Sequence, residues 1–192
     1  MQHTLLPYTK CLEPFAWWDE AFTVEQLDWL QQKAREGAEK AYVGGGLLDS
    51  EVRRTELNWL SKDEGTSQLF HRLGHVVSMI NADFFQYDLA GFGEELQLTN
   101  YHESQQGMYT WHQDLSSQGG VSRKLSLVMQ LSHPEEYEGG ELQLLTSKEP
   151  TIINKKRGLI TVFPSWTLHQ VTPVTKGSRQ TLVAWVTGRP FK

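Results

Sequence analysis

The sequence predicts a mainly β protein of the α+β kind, with a β-core of sandwich or barrel type buttressed on one side by helices. Three observations predict it. Apolar residues recur with period two after residue 93. Glycines and prolines punctuate that region at short intervals. Ahead of it, two segments carry helical periodicity instead.

The first helix is read from Val24, Leu27, Leu30 and Ala34, with Thr23 as its cap. The second is read from Leu69, Leu73, Val76, Val77, Ile80 and Phe84, capped by Thr66 or Ser67. Between them lie Gly44-Gly45-Gly46, which favour a mobile loop. That loop is either an ordinary connection or one that closes over substrate. Leu96 and Leu98 then alternate with polar neighbours, as do Leu125, Leu127, Met129 and Leu131. Leu142 and Leu144 follow the Gly139-Gly140 turn, and residues 159–163 and 181–186 are further strands.

The chain has 192 residues, 39% of them hydrophobic and 21% charged, which is the composition of one soluble globular domain. A net charge of -5 leaves no basic excess to neutralise phosphates, so no nucleic-acid partner is expected. No apolar run reaches the roughly 18 residues of a membrane span, so no membrane partner is expected either. Cys11 is the sole cysteine and no signal peptide is evident; the expected compartment is reducing, and the expected location cytoplasmic.

The chemistry concentrates in Tyr109-Thr110-Trp111-His112-Gln113-Asp114. On a regular strand alternate side chains share a face, so Met108, Thr110, His112 and Asp114 point one way and Tyr109 and Trp111 the other. An imidazole and a carboxylate one residue apart then supply two adjacent metal ligands. His169, at the end of an apolar strand, is the candidate third. Two histidines and one carboxylate are the facial ligand set of non-haem iron(II) oxygenases and leave open coordination positions. The ligand set alone leaves zinc open. Arg179 begins a strand on which Thr181, Val183 and Trp185 share its face. Its guanidinium could clamp the distal carboxylate of a keto acid whose other end chelates the metal.

From Leu96 to Trp185 the chain resembles the prolyl 4-hydroxylase-like branch of the iron(II)/2-oxoglutarate dioxygenases, and within it the bacterial PKHD-type hydroxylases. Tyr109 to Asp114, Tyr137 to Leu142, Phe163-Pro164-Ser165, His169 to Val174, Gly177-Ser178-Arg179 and Trp185 carry the resemblance. It implies a double-stranded β-helix (jelly-roll) fold for the last half of the chain, and carries no motif over to the first 90 residues. With the chain length, which fits one domain over residues 1–192, residues 1–92 are expected to give helical support and a substrate loop, and residues 93–192 the jelly-roll core with the metal site. The resemblance implies His112, Asp114 and His169 as catalytic iron ligands, Arg179 as the 2-oxoglutarate anchor, and Tyr101 as a hydroxyl donor to that co-substrate. Gln130 stands where relatives often place a tyrosine, which implies a rearranged carboxylate pocket. The implied cofactors are Fe(II), 2-oxoglutarate and O2, with ascorbate as an accessory.

The implied reaction is hydroxylation of a C–H bond of a prolyl residue in a protein or peptide, with succinate and CO2 as co-products. A small-molecule hydroxylase, acting for example on a free amino acid, and a non-catalytic metal- or sugar-binding jelly roll are the alternatives. Tyr109, Arg123, Trp166 and Trp185 are the candidate substrate contacts, and Trp185, Val128 and Leu127 the candidate apolar shell. His71 and His75, four apart on a helix, are read as a solvated face opposite the apolar stripe.

Overall fold

Two antiparallel sheets share a core in the computed structural model, which describes residues 14–36, 39–40, 49–115, 117–118 and 121–189. In chain order the first elements are β1 (Ala16–Trp18), α1 (Val24–Arg35), β2 (Glu39–Lys40), β3 (Arg53–Arg54), β4 (Glu56–Leu60) and α2 (Ser67–Ile80). A π-helical turn (Asn81–Phe85) then leads into β5 (Leu89–Phe92), β6 (Leu96–His102), β7 (Met108–His112), β8 (Ser117–Gln118) and β9 (Val121–Gln130). The last are β10 (Tyr137–Gly139), β11 (Leu142–Leu144), β12 (Thr151–Ile152), β13 (Ile160–Pro164), β14 (His169–Val171) and β15 (Val174–Gly188). The larger sheet runs β1-β13-β9-β15-β6-β4-β2, and the smaller runs β12-β11-β14-β7-β3. No described helix is long and apolar enough to cross a membrane.

Alternation along the strands separates two cores. Leu96, Leu98, Leu125, Leu127, Met129, Leu131, Leu182 and Ala184 face the helices, where Leu27, Leu30, Phe70, Leu73, Val77 and Ile80 meet them. The opposite face turns Tyr101 and Phe163 toward Leu142, Leu144, Val171 and Val174 of the smaller sheet and its neighbours, closing the inter-sheet core. The helices thus hold the larger sheet from outside, while His112 and His169, two of the metal-binding candidates, lie on β7 and β14 of the smaller sheet. Leu73 is fully buried at the centre of the outer core. Leu73→Ala is expected to cost about 2–5 kcal/mol, read by chemical denaturation, with metal affinity preserved because the cavity opens behind the sheet.

Both helices form where the periodicity places them. Thr23 and Gln26 form a capping box on α1, Thr23 Oγ1 accepting from Gln26 N and Gln26 Oε1 from Thr23 N. Val24 is exposed, and the buried face is completed by Gln31, whose amide reaches Gln180 and Glu136. Thr66 begins α2, but its hydroxyl bonds to Ser61 O and Asp63 rather than to the helix. Phe84 leaves the apolar stripe because the π-helical turn shifts its phase outward. His71 and His75 are exposed, as expected.

The first 92 residues also supply strands, beyond the helices and loop expected of them. β1 pairs with β13, β3 with β7 and β4 with β6. These strands are two to five residues long with distant partners, so no local period marks them. Gly44-Gly45-Gly46 and Cys11 lie outside the described residues.

Candidate metal centre

β7 and β14 are neighbours in the smaller sheet, with His112 in register with His169. Asp114 follows two residues beyond His112, its N–H bonded to Ser165 O. Ligand atoms of His112, Asp114 and His169 all lie within 4.8 Å of one another. His112 Nε2 is 3.8 Å from Asp114 Oδ1, and His169 Nε2 is 3.5 Å from Asp114 Oδ2.

The donor chemistry fits a metal ion. His112 Nδ1 lies 2.7 Å from Thr110 O, and His169 Nδ1 lies 2.9 Å from Thr167 O. A carbonyl oxygen only accepts, so each Nδ1 carries the hydrogen and each Nε2 keeps its lone pair for a cation. Burial, and then the neighbouring His169 imidazole, push His112 down to about 4, so it is uncharged at neutral pH. Burial opposes ionisation of Asp114. His169, His112, the Ser126 hydroxyl and the Trp185 indole outweigh it and hold the carboxyl below the usual range. Ser126 Oγ donates to Asp114 Oδ2 at 2.7 Å and touches Ser165 Oγ at 3.1 Å, fixing the carboxylate from behind.

This arrangement makes the metal-free protein acid-sensitive. His112 binds a proton near its ordinary 6.5 when unfolded but near 4 when folded. Between those values the unfolded chain holds more protons, so stability falls as pH falls through that window, and Asp114 extends the loss further down. Thermal unfolding of metal-free protein at about pH 7 and about pH 4.5 is expected to give the lower midpoint at the acid value.

Tyr109 is not on the far face of β7, contrary to strict alternation. The register steps three residues from His112 to Tyr109 on β7 and two from His169 to Val171 on β14, which marks a bulge. The bulge returns Tyr109 to the side of His112, and the two rings stack with centroids 3.5 Å apart and planes at 14°. Leu127 and Val128 separate similarly. Val128 lines the cleft, whereas Leu127 packs against the helices.

Arg53, Gln97, Tyr101, Tyr109, His112, Asp114, Val128, Leu142, His169, Val171, Arg179, Thr181 and Val183 enclose one cleft. Arg179 is 2% exposed, in register with Tyr101 and 5.5 Å from its ring centroid. No carboxylate among the described residues pairs with its guanidinium, and a buried charge without a counter-ion calls for an anionic ligand. Gln130 lies one step behind the cleft and donates its amide to the Tyr137 hydroxyl at 2.9 Å. Burial raises the Tyr137 phenol, and the adjacent Arg179 opposes that. Gly140 permits this approach, since a Cβ there would meet Arg179 Cδ at 3.1 Å and Val174 Cγ2 at 2.9 Å.

Of the candidate substrate contacts, Tyr109 alone lines the cleft. Arg123 stacks on Trp185 at 3.8 Å, donates to Glu94 and reaches Asp114 O at 3.3 Å, so this pair flanks the carboxylate. Trp166 packs on Tyr87 with centroids 5.6 Å apart. Sequence reasoning missed Arg53, Ser126 and the part played by Tyr137. Tyr137 stands beside the Gly139-Gly140 signal, but nothing local marks the other two.

Comparison with known proteins agrees with this geometry. Residues 96–187 match the family model of the 2OG-Fe(II) oxygenase superfamily. A PKHD-type hydroxylase of Prochlorococcus marinus is 41% identical over 78 residues, covering 41% of this chain and 35% of that protein. The matched segment therefore spans about a third of that relative's length. A prolyl-4-hydroxylase of Pseudomonas putida superposes with a TM-score of 0.73 at 19% identity, over 92% of this chain and 93% of that one. A Trichoplax adhaerens prolyl hydroxylase, in complex with a hypoxia inducible factor oxygen degradation domain peptide fragment, gives 0.75 at 16% identity, over 91% and 84%. At these identities the structural likeness is one of fold.

Proposed function

We propose, from the match of residues 96–187 to the 2OG-Fe(II) oxygenase superfamily model, that the chain is an iron(II)- and 2-oxoglutarate-dependent dioxygenase that hydroxylates a prolyl residue in a protein or peptide. The observation that carries the reading is a single cleft holding two imidazole lone pairs, one ionised carboxylate and a buried guanidinium with no acidic partner among the described residues. His112 Nε2, His169 Nε2 and one Asp114 oxygen would hold the iron. When bound, iron(II) with 2-oxoglutarate and O2 supplies the oxidising power that turns C–H into C–OH, one oxygen atom going to the product and one to succinate, with release of CO2.

The chain's own residues position and exclude. Arg179, buried on the cleft wall, would receive the distal carboxylate of 2-oxoglutarate. The Tyr137 hydroxyl accepts from Gln130 and lies beside Arg179, which it helps to position, and Tyr101 lines the cleft next to that guanidinium. Leu142, Val171 and Val183 line the cleft with apolar surface that would exclude water from it. Ser126, Thr110 O and Thr167 O hold the three ligands in the orientation the metal needs. A peptide substrate is supported by the peptide complex of the Trichoplax neighbour and by the two PKHD- and prolyl-hydroxylase likenesses. The reading of the chain as one domain is supported by β1, β3 and β4, which pair with strands of the later core.

The test is to incubate iron-loaded protein with 2-oxoglutarate and O2 and to follow succinate, then to search prolyl peptides for added oxygen by mass spectrometry. Oxygen-dependent succinate with hydroxyprolyl product is the expected result. Absence of succinate at any oxygen level would leave only a binding module.

A further inference from the structure

The cleft holds a second guanidinium, to which binding of iron and 2-oxoglutarate gives no task. β3 pairs with β7 so that Arg53 sits opposite Tyr109. Its guanidinium carbon is 4.6 Å from the Tyr109 ring centroid, and Tyr109 in turn stacks on His112. Arg53 therefore stands one aromatic layer from the metal-binding imidazole, on the cleft wall. Its Nη2 donates to Gln97 Oε1 at 2.9 Å, while its buried Nε has no hydrogen-bond partner among the described residues.

Among the described residues no carboxylate answers this charge. Arg123 pairs with Glu94, Arg157 with Asp28, Arg35 with Glu136, and Arg189 with Asp88. Arg54, the next residue, turns away to bond Gln106 O and Ser50 O. Arg53 has the Gln97 amide and the Tyr109 ring instead. Two guanidiniums without acidic partners in one cleft call for two anionic groups, and 2-oxoglutarate accounts for one of them at Arg179.

We propose that Arg53 receives a carboxylate of the molecule to be hydroxylated, so that the substrate class is an acidic one. The carboxylate belongs either to an Asp or Glu side chain near the target residue of a peptide or to a free amino acid. This rests on the site being iron- and 2-oxoglutarate-dependent. Gln97 holds one edge of the guanidinium and Tyr109 supports its face, which leaves the remaining N–H groups to fork onto the incoming carboxylate.

The experiment uses the iron(II)- and 2-oxoglutarate-loaded protein under nitrogen, so that binding is read without turnover. It is offered a pool of prolyl peptides carrying Asp or Glu against the same peptides carrying Asn or Gln, and separately a pool of free amino acids against their amides. Mass spectrometry of the retained fraction reads the preference. The expected result is a carboxylate preference of about tenfold or more in one pool, which names the source. The preference falls to near unity in Arg53→Gln and survives in part in Arg53→Lys, which keeps the charge without the fork. Equal retention of acids and amides by the wild-type protein overturns the proposal, as does an undiminished preference in Arg53→Gln. Failure of the wild-type protein to take up iron and 2-oxoglutarate is a separate result, and it refutes the underlying reading instead.

Discussion

Asp114→Ala is expected to abolish both iron binding and turnover. Asp114 is the only anionic member of the ligand set, and its two oxygens face the two imidazole Nε2 atoms across 3.8 Å and 3.5 Å. Its removal leaves two neutral nitrogens and no charge to offset a divalent cation. Losing an outer-shell partner of a metal ligand typically costs about 10–100-fold in affinity, and losing the carboxylate itself exceeds that. Asp114→Asn separates the metal effect from the fold, because an amide oxygen still accepts from Ser126 Oγ. Metal affinity by anaerobic titration should collapse in both variants, while the unfolding midpoint of metal-free Asp114→Asn stays near that of the wild-type protein. Wild-type iron affinity in Asp114→Ala would remove this residue from the site.

Arg179→Ala should raise the 2-oxoglutarate requirement steeply while leaving metal affinity nearly intact. Arg179 is buried behind the ligand set and contributes no metal donor. Removing a bidentate guanidinium–carboxylate pair from a dry site corresponds to about 2–4 kcal/mol, or about 30- to 1,000-fold in half-saturating 2-oxoglutarate. Ligand binding to the folded state also stabilises it, so 2-oxoglutarate should raise the melting temperature of metal-loaded wild-type protein and not that of the variant at the same concentration. Equal co-substrate affinity in the two proteins would rule out the clamp.

The site is legible in the sequence to the extent that its geometry is local. His112 and Asp114 need only a strand and one intervening residue. His169 and Arg179 need strand ends and a resemblance that spans the region from Leu96 to Trp185. Strict alternation puts Tyr109 on the wrong face because a bulge adds a residue between it and His112, and no composition signal marks a bulge here. Arg53 is invisible for a different reason. Its two-residue strand reaches β7 across more than fifty residues, and only that pairing brings its charge to the cleft.

The fold divides along the same line. The period-two runs of β6 and β9 give the outer core directly, and the two helical stripes give the elements that cover it. The strands β1 and β4 escape a local reading because each depends on a partner elsewhere in the chain for its hydrogen bonds. Phe84 departs from its expected place because a π-helical turn breaks the 3.6-residue phase just after α2.

Metal and guanidinium must cooperate in holding one dicarboxylate if the site works as proposed. Calorimetric titration of 2-oxoglutarate into the protein under nitrogen, with and without iron(II), tests that cooperation. One site per chain that binds tightly only when iron is present is the result predicted. Binding of equal strength without the metal, or no binding in its presence, would contradict it.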